Sequence, residues 1–324
     1  MKKIVVAVLA LALLGGVHSA QAETTKLRLG WTSDNNGPGG AGLRLFAEEV
    51  KKRTNGAYEI ELFGNGQLGN EVDLIGQVAS GSLDMAMVGT GALSTIEPKL
   101  AVLDLPFVWK DLDTYWKIVN GPIGQALMDG LEAKNLKIVS FGSWGVRNFI
   151  TNGFDVAKPD DMKSKRMRVS QSPMFVKMIQ AFGGNPAPLP WGEVYTAMQQ
   201  KTIDGVESSP WAYLEIKLYE VATSVSTTDH LIQSSPAFMN LAKFKALPPD
   251  VQKIFLEAGK LGGQAMYDSI NKANAESIDL IKAKGVKIVT PDREAFRKLV
   301  GPVYEVVTAK GGADLLKQIQ DAQK

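Results

Sequence analysis

Two arginines stand where an arginine is costly. Arg147 lies in the run SWGVRNFITN, and Arg168 lies in RMRVSQ, whose alternation predicts an internal strand. A guanidinium in an apolar strand is tolerated when its planar fork meets an anion. For Arg168 that leaves two readings, a side chain reaching the sheet edge or an internal carboxylate, and a side chain holding a bound anion. A third stretch, NPAPLPWGEVYTAMQQKTIDGVESSPWAY (185–213), carries Trp191 at a helix start and Glu193 in its first turn. Taken singly, Trp191, Tyr195 and Trp211 read as core aromatics.

Other chemistries are poorly supplied. The chain has no cysteine and two histidines, His18 and His230. Cysteine nucleophiles, His-Cys zinc sites and multi-histidine metal sites are therefore excluded. A Ser-His-Asp triad would depend on His230, and no G-x-S-x-G elbow accompanies it. No metal and no cofactor are expected. Gly37-Pro38-Gly39-Gly40-Ala41-Gly42 formally matches G-x-G-x-x-G between a predicted strand and helix. The alternative function is thus a secreted NAD-binding oxidoreductase using the Gly37–Gly42 turn. Against it, the second strand ends Leu62-Phe63-Gly64 without the acidic residue that a ribose requires. The plainer reading is a glycine-rich turn into a helix.

The elements that must position these residues follow an α/β pattern. Strands are predicted at 27–32, 58–63 and 84–89, alternating with helices at 42–54 and 70–79. Helices near 111–118 and 121–134 precede a strand at 136–144. A second block then begins, with a strand at 166–170, a helix at 173–182, a proline-broken crossing at 185–190, a helix at 192–200 and a strand at 202–209. From Pro248 to Lys284, apolar residues at Val251, Phe255, Ala258, Met266, Ile270 and Ile281 fit one very long helix, or two broken near Gly262-Gly263. One helix of that length would lie along both blocks.

The N-terminus reads as an export signal: Lys2-Lys3, the apolar run Ile4–Val17, then Ala20-Gln21-Ala22 with cleavage after Ala22. That run is short for a membrane span, which needs about 20 residues. Residues 1–22 include Lys2 and Lys3 and no acid, so 36 basic residues fall to 34 against 34 acidic ones. A formally neutral chain with mixed charges has no footprint for nucleic acid.

Several segments in order, FGNGQLGNEVDLIGQVASGSLDMAMVG (63–89), LDLPFVW (103–109), GVRNFITN (145–152), MKSKRMRVSQSP (162–173), PLPWGEVYTAMQQKTIDGVESSP (188–210) and LPPDVQKIFLEAG (247–259), resemble DctP-type substrate-binding proteins of tripartite ATP-independent periplasmic (TRAP) transporters. The resemblance covers essentially the whole mature chain. It implies a two-lobed α/β fold with a ligand cleft between the lobes and a long helix spanning both. Lobe I is expected from 23–144 plus about 234–273, and lobe II from about 145–233 plus 274–324. It further implies a non-catalytic, monomeric periplasmic protein that captures an organic acid anion, a carboxylate or a sulfonate. The cleft closes around the anion, and the protein then docks on TRAP membrane subunits.

Residue by residue, the resemblance places the ligand carboxylate on Arg168, with Arg147 as a second guanidinium, Gln171 just after the arginine strand, Trp191 as an aromatic wall and Ser208 after Glu207. From the first lobe it adds Trp31, Thr32, Glu71 and the Gly89-Thr90 turn, and Trp211 lies beside the matched segments. One departure matters. Many members read E-N-P where this chain has Glu207-Ser208-Ser209-Pro210, so a two-headed carboxamide is replaced by a short hydroxyl. Substrate identity therefore does not transfer from C4-dicarboxylate or sialic-acid members.

Overall fold

The computed structural model describes residues 23–324; the expected signal segment and its cleavage site lie outside them. Among the described residues, nine strands form one sheet: β1 Thr25–Gly30, β2 Tyr58–Phe63, β3 Met85–Met87, β4 Leu136–Thr151, β5 Arg166–Val169, β6 Asn185–Pro188, β7 Gly205–Ser208, β8 Ser224–Asn240 and β9 Lys287–Val289. Their order is β2-β1-β3-β8-β4-β7-β5-β6, with β9 on β8. The outer strands pair in parallel with helical crossovers, and only β8 and β4 join the two groups, antiparallel to each other.

The join explains the architecture. β4 and β8 run for 16 and 17 residues, so each serves both halves of the sheet. The N-terminal half of β4 pairs with 234–240 of β8, beside β3, while Asn148–Thr151 pair with β7. The sequence reading ends β4 at 144 and leaves β8 unassigned. Its Ser/Thr-rich run and Pro236 mask a strand that is buried along nearly its whole length. The ladder tolerates this through three register shifts, at Ile138/Ser140, Ser143/Gly145 and Arg147/Phe149, with Gly145 at φ 80°. The crossing at 185–190 also contains a strand. Pro186 and Pro188 fit β6 because it is the outermost strand, where a missing N–H costs no ladder bond.

The long helix is unbroken from Pro249 to Ala283, 35 residues or about 52 Å. Its glycines mark close approach instead of a break. A Cβ at Gly259 would sit 1.8 Å from the Val139 carbonyl oxygen, and one at Gly262 would sit 2.6 Å from that of Gly42. The helix thus lies directly on β4 and on the helix Gly40–Arg53. The C-terminal helices, Gly301–Val307 and Ala313–Asp321, pack on 98–104, and the first also packs on Pro173–Ala181; residues 274–324 therefore touch helical segments of both halves of the molecule. No helix among the described residues is long and apolar enough to cross a membrane.

Candidate ligand-binding site

Between the two halves lies a small cavity of about 40 Å³. Thr32, Ser33 and Glu71 line it from the first half, and Trp144, Arg147 and Gln233 from the joining strands. Arg168, Ser170, Trp191, Ser208, Ser209, Trp211 and Ala212 line it from the second half.

The two arginines differ in what they touch. Arg147 donates from Nε and Nη2 to the two carboxylate oxygens of Glu207 at 2.6 and 2.7 Å, from Nη2 to the Glu207 carbonyl at 2.8 Å, and from Nη1 to Gln233 Oε1 at 2.6 Å. Both partners are buried. Burial alone would raise the Glu207 carboxyl, but the Arg147 charge and the neighbouring His230 hold it below the ordinary range. His230 stacks on Phe149 with ring centroids 4.6 Å apart.

Arg168 is 2% exposed and donates from Nε and Nη2 to a single carbonyl, Leu189 O, at 2.9 and 2.8 Å. It has no salt-bridge partner among the described residues. Its guanidinium lies over the Trp191 ring at 5.4 Å. Burial pushes its pKa down to about 10, which leaves it charged at neutral pH. Because Leu189 occupies the Nε side, the Nη1–Nη2 edge is left to meet a planar anion with two parallel bonds.

Glu71 is the acidic group on the opposite side. Its Oε1 accepts the Gly89 N–H at 2.7 Å. Burial raises its pKa, and the Gly89 bond and the two arginines offset only part of that. Three indoles supply flat apolar surface: Trp191, Trp144 and Trp211, the last two stacked at 5.7 Å. Ser209 Oγ and Trp211 Nε1 both donate to the Trp144 carbonyl, at 2.6 and 2.9 Å, which fixes this wall.

Of the sequence-predicted residues, the structure brings Arg168, Arg147, Trp191, Ser208, Thr32, Glu71 and Trp211 together around the cavity. It does not bring Gln171, which lines a separate groove with Pro173, Val176 and Lys177. β5 ends at Val169, and Gln171 lies beyond it in the bend that leads into the helix Pro173–Ala181. Trp31 is fully buried one layer behind, stacked on Trp144 at 6.1 Å. Gly89 acts through its N–H on Glu71, and the Thr90 hydroxyl lies 2.6 Å from Asp104 Oδ1. Ser33, Ser170, Ser209, Ala212 and Gln233 were not anticipated. Alternation from Arg168 would have indicated Ser170, whereas Gln233 sits on the unassigned β8 and had no local signal.

The Gly37–Gly42 turn is occupied by packing. A Cβ at Gly39 would lie 3.2 Å from Trp31, and one at Gly42 2.3 Å from the Gly262 carbonyl oxygen. The space that the alternative dinucleotide reading would need is filled by the protein's own helix and indoles, as the plainer reading of a glycine-rich turn requires.

A two-lobed α/β fold with a cavity between the lobes and a buried unpaired guanidinium in its wall defines a solute-binding protein. The chain belongs to the DctP family, bacterial extracellular solute-binding protein family 7, which matches residues 30–310. This is a family of TRAP solute-binding proteins and not of enzymes. The chain is similar to the 2,3-diketo-L-gulonate-binding periplasmic protein YiaO of Escherichia coli, at 29% identity over 96% of each chain. It is also similar to a TRAP periplasmic solute-binding protein of Chromohalobacter salexigens solved with bound D-glucuronate: 32% identity, 92% of this chain and 100% of that one, TM-score 0.88. A third similar protein, from Sulfitobacter, was solved with β-D-galacturonate: 29% identity, 92% and 100% coverage, TM-score 0.88.

Proposed function

We propose that this protein captures a sugar-acid monoanion, a uronate or aldonate, in the cavity around Arg168 and delivers it to TRAP membrane subunits on the periplasmic side of the membrane. The observation that carries the reading is the contrast between the arginines. Arg147 is neutralised by Glu207, so one guanidinium charge in the cavity wall remains for one ligand carboxylate.

The rest of the lining fits the remainder of such a molecule. Hydroxyls of Thr32, Ser33, Ser170 and Ser208, with the carboxyl of Glu71, supply partners for several ligand hydroxyls. Indole faces of Trp144, Trp191 and Trp211 suit the C–H faces of a sugar carbon chain. A second carboxylate would approach Glu71, which favours a single charge. The ligands of the three similar proteins, D-glucuronate, β-D-galacturonate and 2,3-diketo-L-gulonate, support the same class. The long β4 and β8 fit the assignment of 23–144 with 234–273, and 145–233, to two lobes that hinge about these strands.

A thermal-shift panel tests it, with D-glucuronate, D-galacturonate, 2,3-diketo-L-gulonate and aldonates against succinate and a hydroxyalkanesulfonate. A sugar acid at 100 times its Kd stabilises the folded protein by about 2.7 kcal/mol. Stabilisation by succinate or the sulfonate, with sugar acids inert, overturns the reading.

A further inference from the structure

Outside the cavity lining, one carboxyl crosses between the two halves of the molecule. Glu215, at the end of the short helix Pro210–Glu215, accepts the Asp34 N–H on Oε1 at 3.1 Å. The partners are 181 residues apart in sequence. Asp34 follows directly on Thr32 and Ser33, which line the cavity, and Glu215 follows Trp211 and Ala212, which line it from the other side. The contact therefore sits at the rim and joins the two walls without reaching the ligand space.

The seat is made by the glycine-rich turn. Gly37 and Asn36 fold the loop back, their N–H groups donating to the Asp34 carbonyl at 3.0 Å and to Asp34 Oδ1 at 2.8 Å. This leaves the Asp34 N–H pointing outward. A Cβ at Gly37 would lie 2.7 Å from Glu215 Oε1, so a side chain there would require the carboxyl to shift off its seat. No cation compensates Glu215 among the described residues, and its Oε2 is buried without a partner. Burial, with the neighbouring Asp34, pushes its pKa up to about 7. A carboxyl held in such surroundings, where separation of the walls would return it to water, belongs to the closed arrangement.

We propose that Glu215 is a positioning residue of the binding site: seated on the turn 34–37 when the cleft closes, it holds Thr32 and Ser33 against the ligand and slows ligand release. The proposal rests on the cavity being the sugar-acid site. It also gives the Gly37–Gly42 turn a role, since Gly37 provides the seat.

The test uses the full mature chain and stopped-flow tryptophan fluorescence with the uronates and aldonates as probes, on wild type, Glu215→Ala, Glu215→Gln and Gly37→Ala. Because the chain has no cysteine, Lys52→Cys with Gln199→Cys can carry a spin-label pair that reads closure directly. Loss of the acceptor strands the Asp34 N–H, so Glu215→Ala should release ligand about tenfold or more faster, with an unchanged association rate. Glu215→Gln keeps a carbonyl acceptor and should restore slow release; Gly37→Ala should release fast with Glu215 intact. The ligand-free melting temperatures of all three should match wild type. A wild type that closes on a sugar acid while Glu215→Ala releases it at the wild-type rate overturns the latch alone. Fast release that tracks a lowered ligand-free melting temperature does the same. A wild type that responds to no sugar acid overturns the ligand reading and the latch with it.

Discussion

Arg168 gives two N–H groups to one carbonyl, that of Leu189, and none to a carboxylate among the described residues. Twenty-one positions earlier, Arg147 is fully engaged by Glu207 and Gln233. One cavity thus holds a compensated guanidinium and an uncompensated one, and opposite mutational outcomes follow from that difference.

Replacing Arg168 with alanine should leave the ligand-free fold at least as stable as wild type, because a buried charge without a counterion is removed. Affinity for the sugar acid should fall by about 2–5 kcal/mol. Paired chemical denaturation and calorimetric titration read both quantities. A variant that binds normally would remove Arg168 from the site.

Arg147→Met should do the reverse. It strands the Glu207 carboxylate in the interior, and breaking a buried pair from one side costs about 3–5 kcal/mol. Denaturation without ligand should register that loss, and Arg147→Met combined with Glu207→Leu should recover much of it. Failure of the double variant to recover would mean that the two residues are not coupled as their geometry requires.

Glu71 should set the charge of the ligand that is accepted. With Glu71→Gln, the discrimination against aldarates, which carry a carboxylate at each end, should relax by about tenfold relative to uronates, since an amide can donate where a carboxylate repels. Competition titrations with the two ligand classes measure the ratio. An unchanged ratio would show that the second carboxylate never meets residue 71.

Asp104 should make stability depend on pH. It is fully buried, its Oδ1 accepts from Thr90 and from the Ser234 N–H, its Oδ2 has no partner, and burial pushes its pKa up to about 7. The folded state therefore keeps a proton that the unfolded chain has lost. That contribution is fully present below the unfolded value of 3.8 and is lost as pH rises from there through about 7. The slope from this group approaches about 1.4 kcal/mol per pH unit. Asp104→Asn mimics the protonated form, so denaturation curves of variant and wild type should diverge between pH 4 and 7, with the variant the more stable. Parallel curves would refute the assignment.

Much of the framework was legible from local pattern. Alternation marked β1, β2 and β5, the apolar spacing from 251 to 281 marked the long helix, and an arginine inside the β5 strand left either a sheet-edge or internal-carboxylate partner or a bound anion to be decided. These signals are local because side-chain direction repeats every two residues in a strand and every 3.6 in a helix. The tertiary structure decided what depends on register between distant strands. Glu207 lies 60 residues from Arg147, and only the pairing of β4 with β7 brings the carboxylate to that guanidinium and leaves Arg168 without one. Gln233 reaches the cavity because β8 pairs with β4 through its bulges, and Glu215 reaches Asp34 because the two halves meet at the rim. The sequence by itself placed an arginine inside an apolar strand, and its family resemblance pointed to Arg168 as the residue proposed to hold an anion. Which charges cancel, and how many remain for a ligand, was set by non-local packing, because compensation depends on distance in space and not along the chain.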